Sequence, residues 1–139
     1  MIVWLEQWGE NDMKNAMRVI AGLLGLFNVA IGLGFLLDPA IAGQRFFLAS
    51  LGTQGMATLR ADFTALFVGM GLFALAGAWK ASRALVLVPV ALLPLALIGR
   101  GVSLIADGAP ATAFPPMVVE AAMIAILVLA ARSFDEKRG

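Results

Sequence analysis

The chain has 139 residues, of which 61% are hydrophobic and 14% charged, and a formal net charge of +1. A soluble domain of this size cannot hide so much apolar sequence, whereas lipid solvates it, so the composition points to a multi-span membrane protein. The near-neutral balance excludes a nucleic-acid footprint, and the absence of Cys, His and Tyr excludes disulfides, thiolate chemistry and the usual haem, zinc and copper ligands, so no cofactor is expected.

Residues 1–16 read as an N-terminal interfacial segment. The short apolar start runs into Glu6, Glu10 and Asp12 rather than into a small-residue cleavage site, which argues against a signal peptide. Trp4, Leu5 and Trp8 fall on one side of a helix, where tryptophan suits the headgroup level; the other reading is a docking site for a partner protein.

A first span is predicted over about residues 17–37, since the nineteen residues from Val19 to Leu37 carry no charge and match a bilayer core. Ala21, Gly25, Asn28 and Gly32 recur on one helix face. Small residues there admit a neighbouring backbone, and the Asn28 amide is suited either to bond across that interface or to hold a ligand. Asp38-Pro39 then supplies an N-cap and a first-turn proline for a short interfacial helix through Ile41, Arg45, Phe46 and Leu48, either a lid or a plain connector. Gly52-Thr53-Gln54-Gly55 is expected to break it.

The second span, about residues 59–79, offers two stripes. One runs through Asp62, Ala65, Gly69, Leu72 and Ala76; the other through Arg60, Thr64, Phe67, Gly71 and Ala74. Two positions differ by about 200° around a helix, so Arg60 and Asp62 cannot face one neighbour, and Asp62, on the stripe with more small residues, is expected inward. Lys80-Ala81-Ser82-Arg83 makes a tight basic turn into a third span over about residues 84–106. Pro89 and Pro94 free the carbonyls of Leu85 and Val90, giving a packing kink or a polar notch. Gly99-Arg100-Gly101 and Ser103 lie in its last turns, before the turn Asp107-Gly108-Ala109-Pro110. The fourth span, about residues 116–132, carries Glu120 one turn inside and a small-residue face at Ala121 and Ala125. Residues 135–139 are a charged tail.

The fold class is therefore all-α: an integral membrane four-helix bundle over residues 17–134, with an interfacial N-terminal segment and a short interfacial helix between spans one and two. Four spans put both termini on one side, together with Lys14, Arg18, Lys80, Arg83, Arg132, Lys137 and Arg138, against only Arg45, Arg60 and Arg100 on the other. That bias predicts cytoplasmic termini. Both hairpins run from a span through an Asp-plus-Pro turn to a span with an early acid, Asp62 or Glu120, as a two-fold internal repeat would.

The same layout gathers Asp38, Arg60, Asp62, Arg100, Asp107 and Glu120 at the outer ends of the helices. Charges within membrane-like sequence must pair or face a wet cavity. Two readings stand side by side. In one, Arg100 and Glu120 form the core of an outer-leaflet pocket, with Arg60 and Asp62 beside them and Asn28 below, where arginine holds an anionic headgroup or carboxylate. In the other, the charges are an ion-pair network that clips the helices together.

The order Asn28, Asp38-Pro39, LRADF at Leu59–Phe63, GMGLF at Gly69–Phe73, Gly99-Arg100, Ser103, DGAP at Asp107–Pro110 and Glu120 resembles a bacterial family of small four-helix membrane proteins. This family is related to the DoxX-like proteins and carries only a domain-of-unknown-function label; the resemblance covers about residues 17–131. It implies the four-helix inner-membrane fold. DoxX itself is associated with a quinone-linked oxidoreductase, but no residue here would carry redox work. Three functions follow as expectations: a binder or carrier of a small amphipathic molecule (lipid, quinone or isoprenoid), an accessory subunit of a larger membrane complex or a homo-oligomer, and a membrane enzyme using Glu120 or Asp62. Binding and accessory work rank ahead of catalysis.

Overall fold

Helices rich in Leu, Val and Ile on every side carry no polar face to orient them, so glycine and alanine decide where two of them meet. The computed structural model describes residues 2–135 and realises this rule in an all-α bundle. The side chains of Trp4, Leu5 and Trp8, assigned above to an anchor, and the tail 136–139 lie outside what is described. Helix α1 (Ile2–Leu37) is followed by the short α2 (Pro39–Arg45). Next, α3 (Gly52–Thr58), a π turn (Leu59–Phe63) and α4 (Thr64–Lys80) form one continuous rod. Then come α5 (Arg83–Ala106), a 3-10 turn (Ala111–Ala113) and α6 (Phe114–Asp135). Four stretches are long and apolar enough to cross a membrane: Asn11–Leu37, Gly52–Lys80, Arg83–Ala106 and Ala111–Phe134.

Two sequence-based boundaries move. Residues 2–16 continue into the first span without a break, because no proline and only Gly9 interrupts them. Gly52–Gly55, expected as a breaker, instead opens α3: Gly52 turns the chain with φ +62° and the next residues are helical. The expected cap of α2 is present, with the Ile41 N–H donating to Asp38 Oδ1 at 3.0 Å and Pro39 in the first turn.

The expected face of α1 is the buried one, with Ala21, Gly25, Asn28 and Gly32 all buried. Its partner is α4, through the stripe Thr64, Phe67, Gly71 and Ala74, not the stripe of Asp62 and Gly69. A Cβ on Gly25 would lie 2.8 Å from the Gly71 carbonyl oxygen, and one on Gly71 would lie 2.6 Å from that of Gly25. A Cβ on Gly32 would meet Val68 N at 2.8 Å, whereas one on Gly69 would meet nothing within 4 Å. Backbone contact is thus possible only on the Gly71 stripe, which puts Asp62 on the outside; the inward placement of Asp62 is not what the fold adopts, and this carboxylate is exposed. Buried or half-buried positions Leu59, Phe63, Phe67 and Gly71 are each four apart, a spacing that would drift by about 120° on a straight α-helix. The π turn, with more residues per turn, takes up part of that drift and keeps Leu59 on the packed side.

Helix ends are tied by arginine. Arg18 donates from Nε to the Ala78 carbonyl and from Nη2 to the Trp79 carbonyl, both at 2.9 Å, serving acceptors in the last turn of α4. Arg60 does the same for α1, with Nε donating to the Leu36 carbonyl at 3.1 Å, and the Thr64 hydroxyl donates to the Gly32 carbonyl at 3.1 Å. At the turn Lys80–Ser82, the Ser82 N–H reaches the Gly77 carbonyl at 2.9 Å, and a Cβ on Gly77 would strike Val86 Cγ2 at 2.5 Å, so α4 and α5 are locked where they join.

The core lies toward the end that holds the turn between α4 and α5 and the end of α6: Ala21, Ala74, Ala78, Val86, Leu127, Ala130 and Phe134 pack together there. Beyond Leu93 no residue of α5 is buried, and before Met123 none of α6 is. The bundle therefore closes at one end and parts at the other. At that parted end, four phenylalanines brace α1, α2 and α4. Phe35, fully buried, lies 4.8 Å from Phe63, 5.3 Å from Phe46 and 6.0 Å from Phe67 between ring centroids. Ala121 and Ala125, expected as a packing face, are exposed; α6 turns Met123, Leu127 and Ala130 inward instead.

Replacing Gly71 with Ala is expected to force α1 and α4 apart and cost about 1–3 kcal/mol, the usual range for overpacking. Gly69→Ala, in open space, is expected to hold or gain up to about 1 kcal/mol from helix propensity. Thermal unfolding of the two variants in mild detergent, followed by circular dichroism, checks the contrast.

Candidate functional site

Where the α1/α4 pair and the α5/α6 pair part, they enclose a cleft of about 740 Å³. Its floor is Asn28, Met70, Leu93 and Met123, at the edge of the packed core. One wall is aromatic, with Phe27, Phe46, Phe63 and Phe67; the opposite wall is α5 and α6, where Arg100 and Glu120 meet. Asp107 and Gly108 (φ +102°) stand at the mouth, on the turn that leads into α6. Among the lining residues, Phe27, Leu66, Gly99 and Val119 are also exposed.

Arg100 and Glu120 form the pair that the sequence singled out. Arg100 Nε lies 2.9 Å from Glu120 Oε1 and 3.0 Å from Oε2, so one N–H is shared between both oxygens. Glu120 is largely shielded, its side chain 15% exposed, and Arg100 is 36% exposed. The pair bridges α5 and α6 in the half where neither has a buried residue, so it clips these helices together. It also leaves both terminal nitrogens of Arg100 without a protein acceptor among the described residues. These are directed donors in a mostly apolar surround, where a hydrogen bond is worth more than in water.

The other sequence candidates divide. Asn28 lines the cleft and is 4% exposed, but its Nδ2 donates to the Leu24 carbonyl of its own helix at 2.9 Å. Among the described residues it makes no interhelical bond of the kind expected, its amide being taken up within α1. Arg60 and Asp62 do not line the cleft: the first caps α1 and the second is exposed. Asp38 caps α2. Of the six charges expected to cluster, Arg100, Glu120 and Asp107 share the cleft. Asp62 and Glu120, equivalent in the repeat reading, thus occupy different environments. The phenylalanine wall was not singled out; its signal was Phe63 and Phe67 one helical turn apart, with Phe35 on the Ala21–Gly32 face behind them. No group of three or more His, Cys, Asp or Glu that could hold a metal forms among the described residues.

No protein-family model, no curated protein and no solved structure matches this chain.

Removing one partner strands a partly shielded charge, so Glu120→Gln is expected to lower stability by about 1–3 kcal/mol. Exchanging the two (Arg100→Glu with Glu120→Arg) should restore most of that loss if the pair acts as a clip. A double-mutant cycle on thermal unfolding measures the coupling.

Proposed function

We propose that this protein is an inner-membrane protein that binds a small amphipathic molecule of the lipid, quinone or isoprenoid class in the cleft between its two helix pairs. The observation that carries this reading is the combination in one cavity of a phenylalanine wall and the uncommitted donors of Arg100. Ligand sites are typically apolar clefts with a few convergent polar groups, and ionisable residues within a span lean towards function. Exposed apolar side chains in the lining, Phe27, Leu66 and Val119, suit a molecule that arrives from lipid rather than from water. Cytoplasmic termini belong to the same proposal, supported by the excess of Lys and Arg at the end holding the α4–α5 turn. So does kinship with the DoxX-like proteins, which rests on the ordered motifs alone. A second reading, an accessory subunit or homo-oligomer, draws on the exposed small-residue face at Ala121 and Ala125, which suits a further helix.

Native mass spectrometry of protein gently extracted from its own membrane tests the first reading. The wild type is expected to carry a discrete small-molecule adduct. Arg100→Gln should lose it, and so should Gly99→Phe, whose side chain starts from open space at the cleft wall. A wild-type chain that is bare, or accompanied only by another protein, would count against binding and for the second reading.

A further inference from the structure

The charges around the cleft constrain the ligand's head more tightly than its apolar walls do. Arginine at such a site suggests an anion, and that was the expectation from the sequence. The guanidinium of Arg100 is already neutralised, however, because Glu120 takes its Nε–H with both carboxylate oxygens. Asp107 adds a second carboxylate to the cleft lining, and among the described residues no further Lys or Arg lines it. A second groove of about 390 Å³ under α2 shares Phe27, Ile31 and Phe46 with the cleft and adds Asp38 and Arg45. Across both cavities two arginines face three carboxylates. An anionic head reaching the terminal nitrogens of Arg100 would sit beside the Glu120 carboxylate in a low-dielectric surround, where like charges repel strongly. A cationic head would find its nearest acceptor, Glu120, occupied and the Arg100 charge next to it. What the site offers without electrostatic penalty is donors: the free N–H groups of Arg100, with the Ser103 hydroxyl on the same stretch of α5.

We infer that the cleft selects an uncharged amphiphile whose head presents acceptor oxygens (carbonyl, ester or hydroxyl) to Arg100, and that it discriminates against fatty anions and lipophilic cations. The inference rests on the binding function proposed above. The apolar tail lies along the phenylalanine wall, and the shared residues Phe27, Ile31 and Phe46 let a longer tail continue beneath α2.

Probes that share one oleyl chain and differ only in the head separate the possibilities. Monoolein, oleate and oleyltrimethylammonium are titrated into the full-length protein in a neutral detergent and read by native mass spectrometry. Monoolein is expected to bind at least about tenfold more tightly than either charged probe, with little dependence on salt. Glu120→Gln releases the Arg100 charge and should shift the preference towards oleate. Should that variant fail to fold, Asp107→Asn, at the exposed mouth and outside the ion pair, is expected to narrow the gap between monoolein and oleate. Tightest binding of oleate or of the cation by the wild type would overturn the neutral-head inference and leave binding itself standing. Failure of all three probes to bind would overturn both.

Discussion

The backbone-to-backbone crossing of α1 and α4 at Gly25, Gly32 and Gly71 is the constraint on which the rest of the molecule depends. In lipid there is no hydrophobic drive to bring two apolar helices together, so contact must be gained through close packing. Hydrogen side chains at these positions allow it, and the approach then fixes which way both helices face. Arg18 and Arg60 cap the two helices at opposite ends of the pair, and the Thr64 hydroxyl adds a tie to the Gly32 carbonyl. The π turn lets this face continue past Thr64 to Leu59. The result is a rigid half-bundle, braced at one end by stacked phenylalanines.

The other half is held differently. α5 and α6 join that unit through Val86, Leu93, Leu127 and Ala130, all on the side of the α4–α5 turn. Further along, neither has a buried side chain, and the Arg100–Glu120 pair links them instead. Pro89 and Pro94 lie in α5 just before or at the point where burial ends, and each deprives an earlier carbonyl of its donor. A cleft is the geometric consequence of one tightly zipped pair and one pair attached at a single end. Bonding through Nε, the ion pair clips the helices and leaves the terminal nitrogens of Arg100 without a protein acceptor among the described residues.

Charged residues in such a chain need not share a role merely because they share a depth. Asp38 and Arg60 satisfy backbone groups at helix ends, a local demand that any helix terminus makes. Glu120 and Arg100 satisfy each other across two helices. Asp62 faces outward because the glycine stripe claims the inner side of α4. Of the six charges expected to cluster, Asp38, Arg100, Asp107 and Glu120 line two adjoining cavities and Arg60 and Asp62 line neither, because depth along a helix says nothing about azimuth.

The sequence by itself determined the class, the spans, the cap of α2, the turn at Lys80–Arg83, the packed face of α1 and the Arg100–Glu120 pair. Each of these follows from a signal local in the chain: hydropathy, a proline after an Asp, small residues at helical spacing, or charges that must be compensated in apolar surroundings. Tertiary structure alone decided which stripe of α4 packs, where the bundle parts, and that Phe27, Phe46, Phe63 and Phe67 form a single wall backed by Phe35. Those outcomes depend on the separation and phase of two helices at once. Gly69 and Gly71 look alike in the sequence, and only the approach of Gly25 distinguishes them.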